Sequence, residues 1–347
     1  MKKTLIALAA LASTAAFAQS SVTISGTFDP SFVSQKNTYG NGNSVTQNGL
    51  QNNRQGTSQV TFSGTEDLGG GLKAAFLIEN DFDATKDATG NIASKGGELY
   101  AGLMGGFGSI KLGSPNTPSL TTQTAANPFG TKIGGGFGSM NTGHVRNDNT
   151  IRFDTPVFNG FSAAVAYSNK TKADANAKAA YALSSTTGTS TTYTNTAGAE
   201  VAAITDIGLF YAAGPVAAGY SNYKVAAKTG GVSNTENNAY VTYDLGVAKV
   251  GAGYYTEKTE GSIDSKAYNL SVAMPMGATT LMANYGKKDD KMTANKDRTV
   301  YAIGAKYALS KRTSVYGRFV SDKTDNEATA TTVNKSTYTI VGLQHNF

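Results

Sequence analysis

The chain has 347 residues, a formal net charge of +6 and neither cysteine nor tryptophan. Charged residues are 16%, against ~25% in ordinary soluble domains, yet mean hydropathy is only −0.26 and no run is clean enough for a transmembrane helix. The missing cysteines exclude a disulfide framework, a thiolate metal site and a thiol nucleophile, and the scattered basic residues exclude nucleic acid as a partner.

Met1-Lys2-Lys3, the short apolar run Leu5 to Leu11 and the small-x-small triplet Ala16-Phe17-Ala18 read as a secretory signal peptide over 1–18. The mature chain, and the barrel argued below, then occupy 19–347. Losing Lys2 and Lys3 takes the formal charge from +6 to 6 − 2 = +4.

From there, strand-like runs of about ten residues recur, joined alternately by short turns and long polar connections, the asymmetry of an outer-membrane barrel. Val22 to Val33 opens the series, and a Gln/Asn/Gly-rich loop follows to Gln55. Ser58 to Glu66 returns with Val60 and Phe62 outward and Gln59 inward. After the turn at Asp67 to Gly71, Leu72, Ala74, Phe76 and Ile78 face outward while Lys73 and Glu79 face inward. Further strands are expected over Glu98 to Met104, Ser109 to Gly113, Asn149 to Thr155, Phe161 to Asn169, Val201 to Ala212 and Val216 to Val225. Others run over Asn238 to Leu245, Ala248 to Lys258, Lys266 to Met274, Ala278 to Lys287, Arg298 to Leu309, Thr313 to Ser321 and Ser336 to Phe347. The total is about sixteen, an even number suited to a water-filled antiparallel barrel. Val201 to Tyr220 is the nearest helical rival, but Asp206, Gly208, Gly214 and Pro215 divide it into two strands.

Composition agrees with closure. Forty glycines fit tight turns and crowded inward positions, and only 7 prolines fit a chain that must pair nearly every backbone donor. Tyrosine and phenylalanine, 18 and 15 in number, can supply interfacial girdles. In the last strand Val341, Leu343, His345 and Phe347 share one face and Gly342, Gln344 and Asn346 the other. A soluble sandwich could also contain such a strand; the leader argues against it. Phe347 is expected at the seam where last strand meets first.

Two connections stand out. Lys170 to Glu200 is low-complexity Ala/Ser/Thr and reads as an outer loop. Ser114 to Arg146 has two prolines early, the run Gly134 to Gly138 and no Asp or Glu, which suits a loop packed inside the barrel better than one standing in water.

No catalytic, metal or cofactor set is identified. His144 and His345 are the only histidines and neither joins an evident triad or cluster; Asp148 and Asp154 read as lumen charges paired with arginines. Gly69 to Gly71 and Gly134 to Gly136 lack the following helix and Lys-Ser/Thr of a phosphate cradle. Inward parity falls on Lys111, between Ile110 and Leu112, and on Arg152, between Ile151 and Phe153.

Four segments in order, Gly64-Thr-Glu-Asp-Leu-Gly-Gly-Gly-Leu-Lys-Ala74, Phe158-Asn-Gly-Phe161, Tyr307-Ala-Leu-Ser-Lys-Arg-Thr313 with Tyr316, and Gly342-Leu-Gln-His-Asn-Phe347, resemble the trimeric general porins of Gram-negative outer membranes. That resemblance implies an all-β, sixteen-stranded transmembrane barrel with a third loop folded into the lumen, at the position of Ser114 to Arg146. It implies a homotrimer among outer-membrane lipid, delivered by the barrel-assembly machinery and passing small ions and solutes. In the anion-preferring branch wall arginines face the third loop. Here Gln59, Gly97-Glu98 and Ser114 stand where arginine is common, whereas Arg146 matches a constriction position. The expected ion pathway is therefore Arg146, Arg152 and Lys111, with Lys73, Gln59 and Glu98 also inward. The expected function is passive diffusion with mild anion preference. A substrate-specific pore, using Phe129 and Phe137 as an aromatic slide, or a plugged adhesin are the alternatives, and an outer-membrane hydrolase is a more distant one.

Overall fold

The computed structural model of the protein describes residues 21–86, 96–135, 144–168, 202–227, 231–292, 296–325 and 331–347. The expected signal peptide at 1–18, the low-complexity segment Lys170 to Glu200 and Phe137 lie outside them.

Among the described residues, eighteen strand segments form one antiparallel sheet. They are β1 (Ser21–Phe28), β2 (Pro30–Tyr39), β3 (Ser44–Asn52), β4 (Gln59–Gly69), β5 (Leu72–Asp81), β6 (Leu99–Gly105), β7 (Gly108–Ser114), β8 (Thr150–Asp154) and β9 (Phe161–Ser168). These are followed by β10 (Ile204–Ala213), β11 (Val216–Val225), β12 (Asn234–Asp244), β13 (Lys249–Thr259), β14 (Ile263–Met276), β15 (Thr279–Asp290), β16 (Arg298–Ala308), β17 (Thr313–Thr324) and β18 (Val333–Asn346). Two pairs are single staves interrupted once. β1 and β2 break at Asp29, and both pair with β18; β3 and β4 break at 53–58, and pair with β2 and β1 respectively. The barrel therefore has 18 − 2 = 16 staves, and β18 closes on β1 and β2.

The expected Gln/Asn/Gly-rich loop from Ser34 to Gln55 is corrected: it is mostly a hairpin, with β2 running on to Tyr39 and β3 beginning at Ser44. Polar residues on both faces hid it, because the upper wall meets water rather than lipid. The second break contains Asn53 at φ 62°, a left-handed conformation that asparagine tolerates.

At one end the staves are joined by short turns such as Gly69–Gly71 and Gly277–Ala278; at the other most connections are longer, the tight exceptions being 40–43 and 260–262. Outward residues are apolar and exposed, with Ile303 at 61% and Val341 at 62%, while inward neighbours such as Val300 and Val320 are fully buried. That burial is inside the barrel. Phe129 and Ile133, from the connection between β7 and β8, pack against Tyr255, Ala267, Met282, Val300, Ala302 and Val320 on β13–β17. The lumen wall thus has an apolar patch that simple alternation does not anticipate, and the loop covers it.

A closed loop in a charged lumen

The connection Ser114 to Arg146 enters the barrel through helix α1 (Pro118–Ala125). Thr117 caps it, accepting from the Leu120 amide at 3.1 Å, and Pro118 occupies the first turn, where its missing N–H costs nothing. The Asp206 carboxylate, fully buried on β10, then receives the Ser119 amide at 2.8 Å and its hydroxyl at 2.7 Å. An anion at a helix N-terminus also answers the positive end of the dipole. Ser221 bonds both Ser119 and Thr122, fixing the helix to β11. Gly208 is required beneath it: a Cβ there would lie 2.8 Å from Pro118 Cβ.

Beyond α1 the loop crosses the lumen as a series of tethered carbonyls. Ala126 O accepts from Asn269 (2.9 Å) and Ser271 (2.7 Å), and Gly134 O from Asn284 (3.1 Å). At the tip, Arg318 of β17 lies over the Phe129 ring at 4.3 Å, donates to Ile133 O at 2.7 Å and reaches Gln55 Oε1 at 2.7 Å. Lys132 donates to Thr57 at 2.8 Å. The tip thereby meets the break between β3 and β4, which Asp29 organises by accepting from the Gln55 and Gly56 amides and the Tyr316 hydroxyl. Burial pulls the Lys132 ammonium down to about 8, against the opposing pull of Asp29 and Asp81.

The loop's base carries most of the residues singled out from the sequence. Asn116 is the hub: its amide and side chain donate to Glu98, its side-chain oxygen accepts from Arg146, and its carbonyl accepts from Arg152. Arg152 also grips Asp154, which Lys111 approaches at 3.3 Å. Arg146 sits 3.9 Å from Glu79 and 4.0 Å from Asp81. Gln59 bonds Glu79, and so joins the same group. Lys73 does not: it is six residues down β5 from Glu79, ~20 Å at strand rise, beside the Gly69–Gly71 turn. Asp148 meets Thr150 and Ser168 through its main-chain carbonyl. His144 bonds Glu236 at 2.7 Å and stacks on Tyr223 at 4.0 Å, tying the returning limb of the loop to the wall.

Sequence reasoning missed Arg318, Lys132, Asp29, Asp81, Asp206 and Asn116. Parity alone marks Arg318 and Asp206 as inward. Their height in the barrel, which decides whether they meet the loop, depends on the stagger of the staves.

At the other seam, the Gly26 and Phe347 backbones exchange two hydrogen bonds of 3.1 Å. A Cβ on Gly26 would lie 2.3 Å from the Phe347 ring, so the aromatic side chain fills the space that the glycine leaves.

A closed barrel with an apolar exterior and a charged interior narrowed by its own loop defines an outer-membrane diffusion channel. The chain belongs to the Gram-negative porin family, whose profile matches residues 4–327. It is 31% identical to outer membrane porin protein 32 of Delftia acidovorans, over 97% of this chain and 94% of that one. It is 28% identical to an outer membrane porin protein of Bordetella pertussis over the full length of both. Among solved structures, the anion-selective porin from Comamonas acidovorans superposes with a TM-score of 0.74 at 26% identity, covering 95% of this chain and 100% of that one. The protein is an outer-membrane porin.

Proposed function

We propose that this porin passes small hydrophilic solutes with a mild preference for anions, set at the loop by Arg146, Arg152, Lys111, Lys132 and Arg318. The observation that carries the reading is that the loop which narrows the lumen contains no Asp or Glu, so every carboxylate near the path belongs to the wall. There Glu79 and Asp81 lie beside Arg146, Asp154 is paired with Arg152 and Lys111, and Glu98 is taken up by Asn116. Gln59 contributes no charge, and Lys73 acts at the short-turn mouth. The similar porin from Comamonas acidovorans is anion-selective, which supports the same sign. An aromatic slide for a specific solute is disfavoured because Phe129 is 2% exposed and lies under Arg318. No chemistry is assigned to the channel.

The reading extends to a homotrimer. β6–β9 have 7, 7, 5 and 8 residues, which at ~3.4 Å per residue and ~40° tilt rise ~13–21 Å, below the ~25 Å apolar band of a barrel facing lipid. A wall that low is suited to facing other subunits. It also extends to removal of 1–18 on export, to insertion by the assembly machinery and to closure at Phe347.

The test is the zero-current potential across a planar bilayer under a KCl gradient. Parent channels should show anion preference that fades from ~0.1 to ~1 M salt, as the screening length falls from ~10 to ~3 Å. Arg146→Glu with Arg152→Glu should move the potential toward cations. A parent that prefers cations, or a double variant with an unmoved potential, refutes the assignment.

A further inference from the structure

One row of inward side chains crosses four successive staves in register. Tyr223 on β11 pairs with Glu236 on β12, Glu236 with Glu257 on β13, and Glu257 with Ser265 on β14. None of the four is more than 3% exposed. Two buried carboxylates therefore stand directly opposite one another on one face, where Cβ atoms are ~4.5–5.5 Å apart and like charges destabilise a sheet.

Their contacts leave the pair short of positive charge. Glu257 receives the Tyr255 hydroxyl at 3.0 Å and the Asn234 side-chain amide at 3.3 Å, and Glu236 meets His144 at 2.7 Å through Oε1 alone. Among the described residues no lysine or arginine is ion-paired with either carboxylate. A protonated His144 answers one charge at most, and Asp206, one stave beyond Tyr223, adds a further carboxylate to the row. The inward cations beyond Ser265, Lys288 on β15 and Arg298 on β16, lie two and three staves from Glu257, at least ~10 and ~14 Å at the spacing of paired strands.

Oxygens without partners gather at the same place. Glu236 Oε2, Ser265 Oγ, Asn234 Oδ1 and Asn238 Oδ1 are buried atoms with no hydrogen bond, and the two asparagines flank Glu236 two residues either way on its own face. Buried polar atoms are nearly always satisfied. Water can occupy such oxygens, but it does not neutralise two carboxylates. No three His, Cys, Asp or Glu side chains converge among the described residues, so a zinc-type ligand set is lacking. Carboxylate, amide and hydroxyl oxygens together are the hard ligands that calcium takes, ~6–8 at a time in a loose geometry.

We propose that this row binds one calcium ion inside the barrel, with Glu236 Oε2 and Glu257 as its charged ligands and Asn234 and Ser265 supplying neutral oxygens directly or through water. The ion offsets both charges and links β12, β13 and β14. Because Glu236 also holds His144, the same ion stiffens the wall to which the returning limb of the loop is tied.

Terbium, close to calcium in size and ligand preference, emits when a neighbouring tyrosine passes it energy, and the chain has no tryptophan to compete as donor. Tyr255 is bonded to Glu257 and Tyr223 stands beside Glu236. The folded, detergent-solubilised protein should therefore give tyrosine-excited terbium emission. Calcium should displace the terbium with a Kd of ~0.1–1 mM, the range of extracellular calcium modules, and magnesium, which dehydrates reluctantly, should bind at least ~10-fold more weakly. Glu257→Gln should weaken calcium at least ~10-fold, and Asn234→Ala, which leaves both carboxylates in place, by ~3-fold. Asp289→Asn, at an outward carboxylate on β15, should leave calcium binding unchanged. Heat-modifiable migration checks that each variant is folded. A parent without calcium-displaceable emission, magnesium competing as well as calcium, or Glu257→Gln and Asn234→Ala both binding calcium like the parent would each overturn the proposal.

Discussion

Replacing Arg318 with alanine removes the clamp on the loop tip. Two hydrogen bonds from a charged donor are lost, each contributing ~1.5–3 kcal/mol, together with a ring contact of ~0.5–2 kcal/mol. Their sum, ~3.5–8 kcal/mol, is an upper bound, because Ile133 O and Gln55 face the lumen side and water can replace the guanidinium. Allowing half leaves ~2–4 kcal/mol, a rise of ~30- to ~1,000-fold in the undocked population of the tip. The apolar contacts of Phe129 and Ile133 still favour docking, so the barrel should fold and insert normally. The assay is single-channel recording in symmetric salt. Arg318→Ala should give larger mean conductance and greater open-channel noise, and Phe129→Ala should do the same less strongly. The double variant should fall short of the summed effects, because the cation and the ring act as one unit. Conductance and noise equal to the parent in both single variants would refute the idea that this clamp sets the width of the lumen.

Other expectations concern charge, closure and the loop's root. With its pKa at about 8, Lys132 is ~90% charged at pH 7 and ~10% at pH 9, so its share of anion preference is present below pH 8 and lost above it; the reversal potential should drift toward cations from pH 7 to 9, and Lys132→Met should flatten that drift. Gly26→Val would drive a side chain into the Phe347 ring and the Gln59 carbonyl, 2.5 Å from the new Cβ; the yield of heat-modifiable folded protein should fall sharply, and Gly26→Ala should fall less. Asp206→Asn keeps the shape at the root of α1 but removes the charge that receives Ser119, at a cost of ~1–3 kcal/mol; added protease should cut within Thr117 to Ala126 faster than in the parent, with the staves intact.

Much of the barrel is legible in the chain because lipid imposes a period of two on every stave it touches. Leu72, Ala74, Phe76 and Ile78 announce β5 for that reason, and the inward placement of Lys111 and Arg152 follows from the same parity. The period fades where lipid ends. Asn37 to Asn52 is polar apart from Tyr39, Val45 and Leu50, too few apolar residues for an alternating pattern to mark its strands. The loop was recognisable by what it lacks, its missing carboxylates, yet its partners were not. Asn284 and Gly134, or Arg318 and Gln55, are separated by 150 and 263 residues. Their meeting depends on the stagger of sixteen staves, which one sequence does not disclose. Lys73 illustrates the reverse case, right in parity but two residues from a turn and far from the loop.

The apolar patch inside the barrel also bears on the order of assembly. Phe129 is made early, but the side chains that receive it run from Tyr255 to Val320, and the clamp that covers it comes from Arg318. The loop therefore has no home until most of the sheet exists, and once β18 has sealed against β1 the way in from the side is shut. A chain with this layout has a narrow interval in which to draw the loop inward, after β13–β17 have paired and before the seam closes. Contacts of such long sequence separation are slow to form. A variant that hastens closure could thus yield a perfectly sealed cylinder with its loop stranded outside, stable, correctly inserted and too wide.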